Sequence, residues 1–116
     1  MYVDGFVAAV PASSKAVYRA FAAKTAALFR EYGATRVVEA WGDDVPAGKV
    51  NDFPGAVQAK EGEVVVFSWI EYPNKAVRDA AVKKVFEDDR LKALGDMPFD
   101  GQRMIFGGFE TILDER

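Results

Sequence analysis

VVVFSWI, residues 64–70, carries no charge and does not alternate between apolar and polar positions. Its β-branched and aromatic residues predict a strand. A strand with one face in water normally alternates, because successive side chains point to opposite faces of the sheet. The absence of alternation predicts that both faces of this strand are covered, so the fold must supply a cover on each side of the sheet.

The segments on either side predict the element order β-α-β-β-α-β. Pro73 ends the strand above, and Asn74 is a suitable cap for a following helix. Another helix is predicted upstream, with Ser13 or Ser14 as its N-terminal cap and Gly33 at its C-terminal end. Strands are predicted at residues 2–10, 36–41, 64–72 and 104–113. With right-handed crossovers this order gives an α+β fold, a single ferredoxin-like domain whose antiparallel sheet has both helices on one face.

The other face of this sheet requires a second cover. The first predicted strand carries Val3 and Val7 on one face and Tyr2 and Phe6 on the other, so large apolar residues lie on both faces. We expect nothing else in a chain of 116 residues to be available for the helix-free face. The sequence therefore predicts a homodimer in which a second copy packs face to face against the first.

The composition excludes several classes of function. The net charge is −3 and the pI is about 5.0, whereas nucleic-acid binding needs a basic surface, so nucleic acid is not an expected partner. The chain has no Cys and no His. These absences exclude disulfides, thiolate nucleophiles, Ser-His-Asp catalysis and most transition-metal sites. We expect no metal and no cofactor, and any chemistry must use carboxylates, Lys, Arg, Tyr, Ser/Thr or backbone amides.

The sequence also predicts no association with a membrane. No apolar run approaches the roughly 18 residues of a membrane-spanning helix. Residues 1–10 have the pattern of a strand and show no basic segment ahead of the apolar stretch, so they do not resemble a signal peptide. The expected location is the cytoplasm.

Several motifs resemble one known family. They are YVDGFV (residues 2–7), WGDDVPAGK (41–49) followed by DFP (52–54), VVVFSWIEY (64–72) and MPFDGQRMIFGGFE (97–110). In this order, over nearly the whole chain, they are similar to domain-of-unknown-function family 1428 (DUF1428). The resemblance implies a dimeric α+β barrel, in which two ferredoxin-like sheets enclose a shared interior. That superfamily includes small monooxygenases and isomerases, but the resemblance implies no particular activity.

The helix-free face would line the interior of such a barrel. Strand alternation assigns Asp4 and Glu110 to it, and Glu39 is a third candidate. Carboxylates among aromatic side chains have raised pKa values and suit a general base that removes a proton from a carbon acid or a phenol. The expected ligand-binding residues on the same face are Phe6, Trp41, Ser68 and Phe106. The alternative is that these carboxylates pair with Arg36, Arg103 or Lys49 and only fix the dimer.

The loop GDDVPAGKVNDFPG, residues 42–55, is much longer than a hairpin turn requires. Asp43, Asp44 and Lys49 provide polar groups for a ligand at the mouth of a barrel, and with Asp52 the two aspartates offer oxygen ligands for a cation. The alternative is a packed loop that clasps the partner subunit. Arg103 is similarly open to two interpretations, an anion-binding residue or a structural partner of the acidic side chain of Asp100 or Glu110.

Three functions remain open from the sequence. The first is an enzyme without metal or cofactor, with isomerase or cofactor-independent monooxygenase chemistry based on carboxylates. The second is a non-catalytic homodimer that binds a small-molecule ligand. The third is a structural homodimer with a solid core. The presence of a cavity would distinguish the enzyme and the binding protein from the structural homodimer. Turnover of a bound compound would distinguish the enzyme from the binding protein.

Overall fold

A computed structural model describes residues 1–116 and contains one antiparallel four-stranded sheet. The strands are β1 (Tyr2–Pro11), β2 (Arg36–Trp41), β3 (Glu63–Tyr72) and β4 (Ile105–Glu110). The helices are α1 (Lys15–Glu31), α2 (Phe53–Ala56), α3 (Lys75–Glu87) and α4 (Asp89–Lys92), with a 3₁₀ turn at Ala12–Ser14. The strand order is β2-β3-β1-β4. The predicted α+β class, with a four-stranded antiparallel sheet and helices, is confirmed.

The ends of the long helices follow from local sequence. The side chain of Asn74 caps α3 as predicted, accepting a hydrogen bond from the amide of Val77 at 2.9 Å. Gly33 follows α1 with a φ of +124°, a conformation that favours glycine. Ser14 occupies the N-cap position of α1, as predicted. Its side chain makes no capping hydrogen bond, however, because the 3₁₀ turn leads directly into the helix.

The helices α1 and α3 pack on one side of the sheet, which we name the helix face. Val10 of β1 and Val66 of β3 form a buried cluster with Tyr18 of α1. Ile70 of β3 forms another with Ala81 of α3. The even-numbered residues of β1 and β3 therefore point towards the helices. No helix in the structure combines the length and the apolar character needed to cross a membrane.

The strand register corrects the predicted position of the candidate residues. Phe6 lies between Ser68 on β3 and Phe106 on β4, and Ser68 pairs in turn with Glu39 on β2. These residues share the helix face, so their predicted location on the helix-free face is wrong. The same correction applies to Asp4, Trp41 and Glu110. Alternation shows which residues share a face but not which face the helices cover, and here both faces carry large apolar side chains.

The opposite side of the sheet, the helix-free face, is partly covered by the chain itself. Val57, just after α2, is 1% exposed and packs against Val7, Ala9 and Val65. The prediction that nothing in the chain covers this face is therefore wrong at one end. The weak alternation of residues 56–60 predicts that they complete the hairpin arm, and this prediction is also wrong, since the segment leaves α2 and turns.

The rest of the helix-free face stays apolar and open. The ring of Phe109 of β4 lies over Gly5 and Gly107. Large apolar side chains remain exposed across this region, namely Phe53, Phe67, Ile105 and Phe109. An exposed apolar patch of this kind is typical of an interface.

Candidate functional site

The most enclosed carboxylate on the helix face is that of Asp4. Asp4 lies on β1, 6% exposed, opposite Gly108 of β4. A side chain at position 108 would meet the Tyr2 hydroxyl at 2.4 Å and Arg78 Nη2 at 2.7 Å. Adjacent glycines within a strand, here Gly107 and Gly108, indicate the close approach of another group, and at Gly108 that group is Tyr2 together with Arg78. Glycine at position 108 gives Arg78, which extends from α3, room to reach Asp4.

Arg78 is the cation that compensates Asp4. Its Nη1 lies 3.5 Å from Asp4 Oδ1, a distance that allows attraction without a close hydrogen bond. Its Nη2 donates to the Tyr2 hydroxyl at 2.8 Å, and the guanidinium lies 4.7 Å from the centre of the Tyr2 ring. Its Nε is 3.1 Å from Asp79 Oδ1 but is not aligned for a hydrogen bond. Arg78 is therefore held in place by the hydroxyl and ring of Tyr2, while its Nη1 faces Asp4 without a hydrogen bond.

Burial controls the protonation of the Asp4 carboxyl group. It raises the pKa of Asp4 above 3.8, and this effect exceeds the lowering by Arg78 and by the nearby Tyr72 hydroxyl. The Tyr72 hydroxyl is itself fully buried, with no hydrogen-bond partner of normal geometry. Burial and the Asp4 carboxylate raise the pKa of Tyr72. Asp4 is thus a stronger base than an exposed aspartate, and the polar groups around it are incompletely satisfied.

Asp4 and Arg78 open onto an apolar cavity of about 290 Å³, which we name the Asp4 cleft. The rings of Phe6 and Phe106 stack at a centroid distance of 6.4 Å along one wall. Phe86 of α3 forms part of the opposite wall. Phe106 and Phe86 are 72% and 64% exposed, so the cleft has aromatic edges open to solvent. A flat apolar molecule fits between these edges with a polar group at the carboxylate.

Other predicted residues gather in a second cavity on the helix face. Glu39 and Trp41 of β2 face α1, where the Tyr18 hydroxyl donates a hydrogen bond to Glu39. Ser68 lies beside Glu39 and also interacts with its carboxylate. This cavity of about 340 Å³ shares no lining residue with the Asp4 cleft. The structure therefore separates the predicted site into two.

Arg103 has a structural role in this fold. Its Nη1 and Nη2 each donate to one oxygen of Glu63 at 2.7 Å, and its Nε donates to Asp100 at 3.0 Å. A further bond to the carbonyl of Gln58 completes the set. Of the two interpretations from sequence, the acidic partner is confirmed. These contacts join the turn before β4 to the start of β3.

The Glu63–Arg103 pair gives a testable dependence of stability on pH. Hydrogen bonds from Arg103 lower the pKa of Glu63 from 4.5 to about 2. Because the folded pKa is the lower one, the stabilisation is present above about pH 4.5 and is lost as the pH falls towards about 2. We expect Glu63→Gln to lower the urea midpoint at pH 7, with a smaller difference at pH 3. Glu61→Gln, at an exposed glutamate without an ion pair, is the control. A difference independent of pH would contradict this prediction.

The long loop packs against the sheet from the helix-free side. Asp52 caps α2, and its two oxygens accept hydrogen bonds from the amides of Gly55 at 2.6 Å and Gly48 at 3.0 Å. Its carboxylate is thus engaged by the loop itself rather than left free for a cation. The predicted contact residues of the loop, Asp43, Asp44 and Lys49, are exposed and make no side-chain hydrogen bond or ion pair.

Glu110 also lies apart from the Asp4 cleft. It is exposed at the end of β4, beside Met1 and Asn74. The structure thus brings three of the predicted residues together in the Asp4 cleft, namely Asp4, Phe6 and Phe106. Sequence analysis missed Arg78 and Tyr18, which approach from the helices. The available signal for Arg78 was its position one turn before Val82, beside the apolar repeat of α3.

Comparison with known proteins gives a consistent family match. A family model described as "Protein of unknown function (DUF1428)" matches residues 1–101. The chain is 64% identical over 115 residues to "Uncharacterized protein YbaA" of Escherichia coli K12, covering 98% of each chain. The same values hold for YbaA of Shigella flexneri. Among solved structures, the chain is similar to Rv0793 from Mycobacterium tuberculosis, with 14% identity and a TM-score of 0.49, covering 99% of this chain and 98% of that one.

Proposed function

Because the chain belongs to the DUF1428 family, whose description assigns no activity, we propose a function from the site itself. The protein is a homodimer that binds a small, flat, weakly acidic molecule in the Asp4 cleft, where Asp4 exchanges a proton with it. One observation carries this proposal. A buried carboxylate of raised pKa, without a close hydrogen bond, opens onto an aromatic cleft.

The chemistry follows from the two charged groups. Asp4 accepts a proton from a carbon next to a carbonyl, and the apolar walls keep water from competing for that proton. The negative charge that develops on the carbonyl oxygen is stabilised by Arg78, whose Nη1 lies 3.5 Å from the Asp4 carboxylate and makes no hydrogen bond. Return of the proton to a different carbon completes an isomerisation without a cofactor. A monooxygenase reaction would begin with the same proton transfer and would also need O₂ as the oxidant.

The proposed homodimer uses the open part of the helix-free face. The strand order β2-β3-β1-β4 supports a ferredoxin-like sheet. Two such sheets packed through their open apolar faces would form the dimeric α+β barrel that the family resemblance implies. Arg36 and Glu71 form an ion pair at the rim of this face, an arrangement typical of a polar border around an apolar interface. The Asp4 cleft lies on the other side of the sheet, so one dimer would present two clefts.

An exchange experiment tests the role of Asp4. Acetophenone serves as the probe, because it is a flat aryl ketone whose methyl protons exchange slowly with D₂O. We expect saturable binding by ligand-observed NMR and loss of the methyl signal in proportion to protein concentration. Asp4→Asn is expected to keep binding and to slow the exchange at least about a hundredfold, the usual scale of a general base.

Glu110→Gln is the control for this experiment, since Glu110 lies on the same strand face but outside the cleft. Its exchange rate should equal that of the wild type. Binding without exchange above the buffer rate would overturn the acid–base role and leave a non-catalytic binding protein. Absence of binding by acetophenone and related aryl ketones would overturn the cleft as a ligand site.

A further inference from the structure

The second cavity on the helix face has the features of an independent binding site. It lies between α1 and the edge strand β2, with Tyr18, Glu39 and Trp41 on its walls and Lys15 and Arg19 among its lining residues. We name it the Glu39 pocket. Its volume of about 340 Å³ is within the range of small-molecule sites. It differs from the Asp4 cleft in charge, because two cations line it.

These two cations have no anionic partner. Neither Lys15 nor Arg19 lies within 4 Å of a carboxylate. They are one helical turn apart, on the same face of α1, so their charges repel. Lys15 is the first residue of α1, whose first turn contains no acidic residue, and the helix dipole disfavours a cation there. An anionic group bound between them would relieve both effects.

The opposite wall offers an acceptor. The Tyr18 hydroxyl donates to Oε1 of Glu39 and Ser68 lies beside the carboxylate, whose oxygens have further lone pairs that can accept a hydrogen bond. Glu39 is exposed on the edge strand, yet the surrounding protein raises the pKa of its carboxylate. Burial, together with the hydrogen bond to Glu39, raises the pKa of the Tyr18 hydroxyl. A ligand hydroxyl can therefore donate to Glu39 without displacing Tyr18.

The body of the pocket is apolar and suits an aromatic ring. The Trp41 ring forms one wall, and Lys15 Nζ lies 5.5 Å from its centre. Alanines along α1 leave the open space, because their side chains end at the first carbon; they are Ala22, Ala23 and Ala26. A ring placed here contacts Trp41 on one side and the alanines on the other.

We propose that the Glu39 pocket binds a small aromatic carboxylate that carries a hydroxyl group. The carboxylate lies between Lys15 and Arg19, the ring packs on Trp41, and the hydroxyl donates to Glu39. This site is separate from the proton-transfer site proposed above, so either proposal can fail while the other stands.

The two tryptophans of the chain allow a test with an internal control. Trp41 lines the Glu39 pocket, whereas Trp69 lies on the helix-free face with its Nε1 bonded to Glu71 at 2.9 Å. Titration of the wild-type protein with 4-hydroxybenzoate, followed through the two indole N–H signals by ¹⁵N NMR, should shift the Trp41 signal saturably. The Trp69 signal should stay in place. Trp41→Phe identifies the two signals.

Three variants assign the contacts. Arg19→Gln should weaken both benzoate and 4-hydroxybenzoate at least about tenfold, the scale of a lost charge-assisted contact. Arg30→Gln, at a basic residue of the same helix outside the pocket, should weaken neither. Glu39→Gln should weaken 4-hydroxybenzoate more than benzoate, because only the former has a hydroxyl to donate. Thermal melting confirms that each variant is folded.

Three results would overturn this proposal. The first is no saturable shift of the Trp41 signal with 4-hydroxybenzoate at millimolar concentration. The second is equal weakening by Arg19→Gln and Arg30→Gln, which would indicate a general charge effect. The third is loss of the Trp41 shift in Asp4→Asn with the fold intact, which would place the binding in the Asp4 cleft instead.

Discussion

Phe109→Asp is expected to convert a homodimer, with about twice the 12.7 kDa mass of the chain, into a monomer. Phe109 lies on the open part of the helix-free face and is 61% exposed in the single chain. The substitution therefore removes little of the monomer core. In a symmetric dimer each change occurs twice, because both subunits use the same face.

The expected magnitude is large. Burial of a fully exposed phenylalanine side chain contributes up to about 3 kcal/mol, and Phe109 is 61% exposed before association, so its two copies contribute up to about 4 kcal/mol. Loss of this amount raises the dissociation constant about a thousandfold. The two introduced carboxylates would also be desolvated in the interface, which weakens association further. Light scattering after size-exclusion chromatography at 10 µM measures the change directly.

Phe86→Asp is the matched control for this substitution. Phe86 has a similar exposure, 64%, but lies on α3 on the other side of the sheet. This variant should remain a dimer, with a circular dichroism spectrum like that of the wild type. A monomeric wild type, or a Phe86→Asp variant that dissociates while Phe109→Asp does not, would contradict the proposed interface.

The sequence predicts the sheet of this protein well, because the pattern of a strand and the residues that end it lie close together in the sequence. The uncharged segment at residues 64–70 lies within β3, and the breaks at Pro73 and Gly33 match the ends of β3 and α1. Residues that share a strand face are also predictable, since alternation is fixed by backbone geometry. For this reason the sequence correctly predicts that Glu39 and Trp41 lie on the same face of β2.

The side of the sheet that the helices cover was not predictable in the same way. Both faces of β1 carry large apolar residues, so the choice depends on how α1 and α3 pack, which involves contacts distant in sequence. The same limit explains why Arg78 and Tyr18 were missed. Val57 was missed for a different reason: it follows a helix of four residues, too short to give a periodic pattern.

Arg78→Met is expected to lower the free energy of unfolding by about 3–5 kcal/mol at pH 7, the usual cost of removing one partner from a buried ion pair. The loss arises because Asp4 then remains charged and buried without compensation. Contacts of Arg78 with Tyr2 are lost as well. Arg116→Met is the control, since Arg116 forms its ion pair with Asp114 at the surface, and its effect should be much smaller.

The pH dependence identifies Asp4 as the source of this loss. Burial raises the pKa of Asp4 above its ordinary 3.8, and Arg78 opposes that rise. An acid with a raised folded pKa loses stability as the pH increases from its unfolded pKa through its folded pKa. Without Arg78 the folded pKa rises further, so the destabilisation should be smaller near pH 4 than at pH 7. Urea unfolding of the wild type and Arg78→Met at both pH values provides the measurement.

A double-mutant cycle separates the charge pair from the packing of the arginine. If the charge of Asp4 causes the loss, Asp4→Asn combined with Arg78→Met should be more stable at pH 7 than Arg78→Met alone, since no buried charge remains. Equal stability of the two variants at both pH values would mean that Arg78 acts through its contacts with Tyr2 and not through Asp4. In that case Asp4 would not depend on Arg78 for compensation, and Arg78 would lose its proposed part in stabilising negative charge in the cleft.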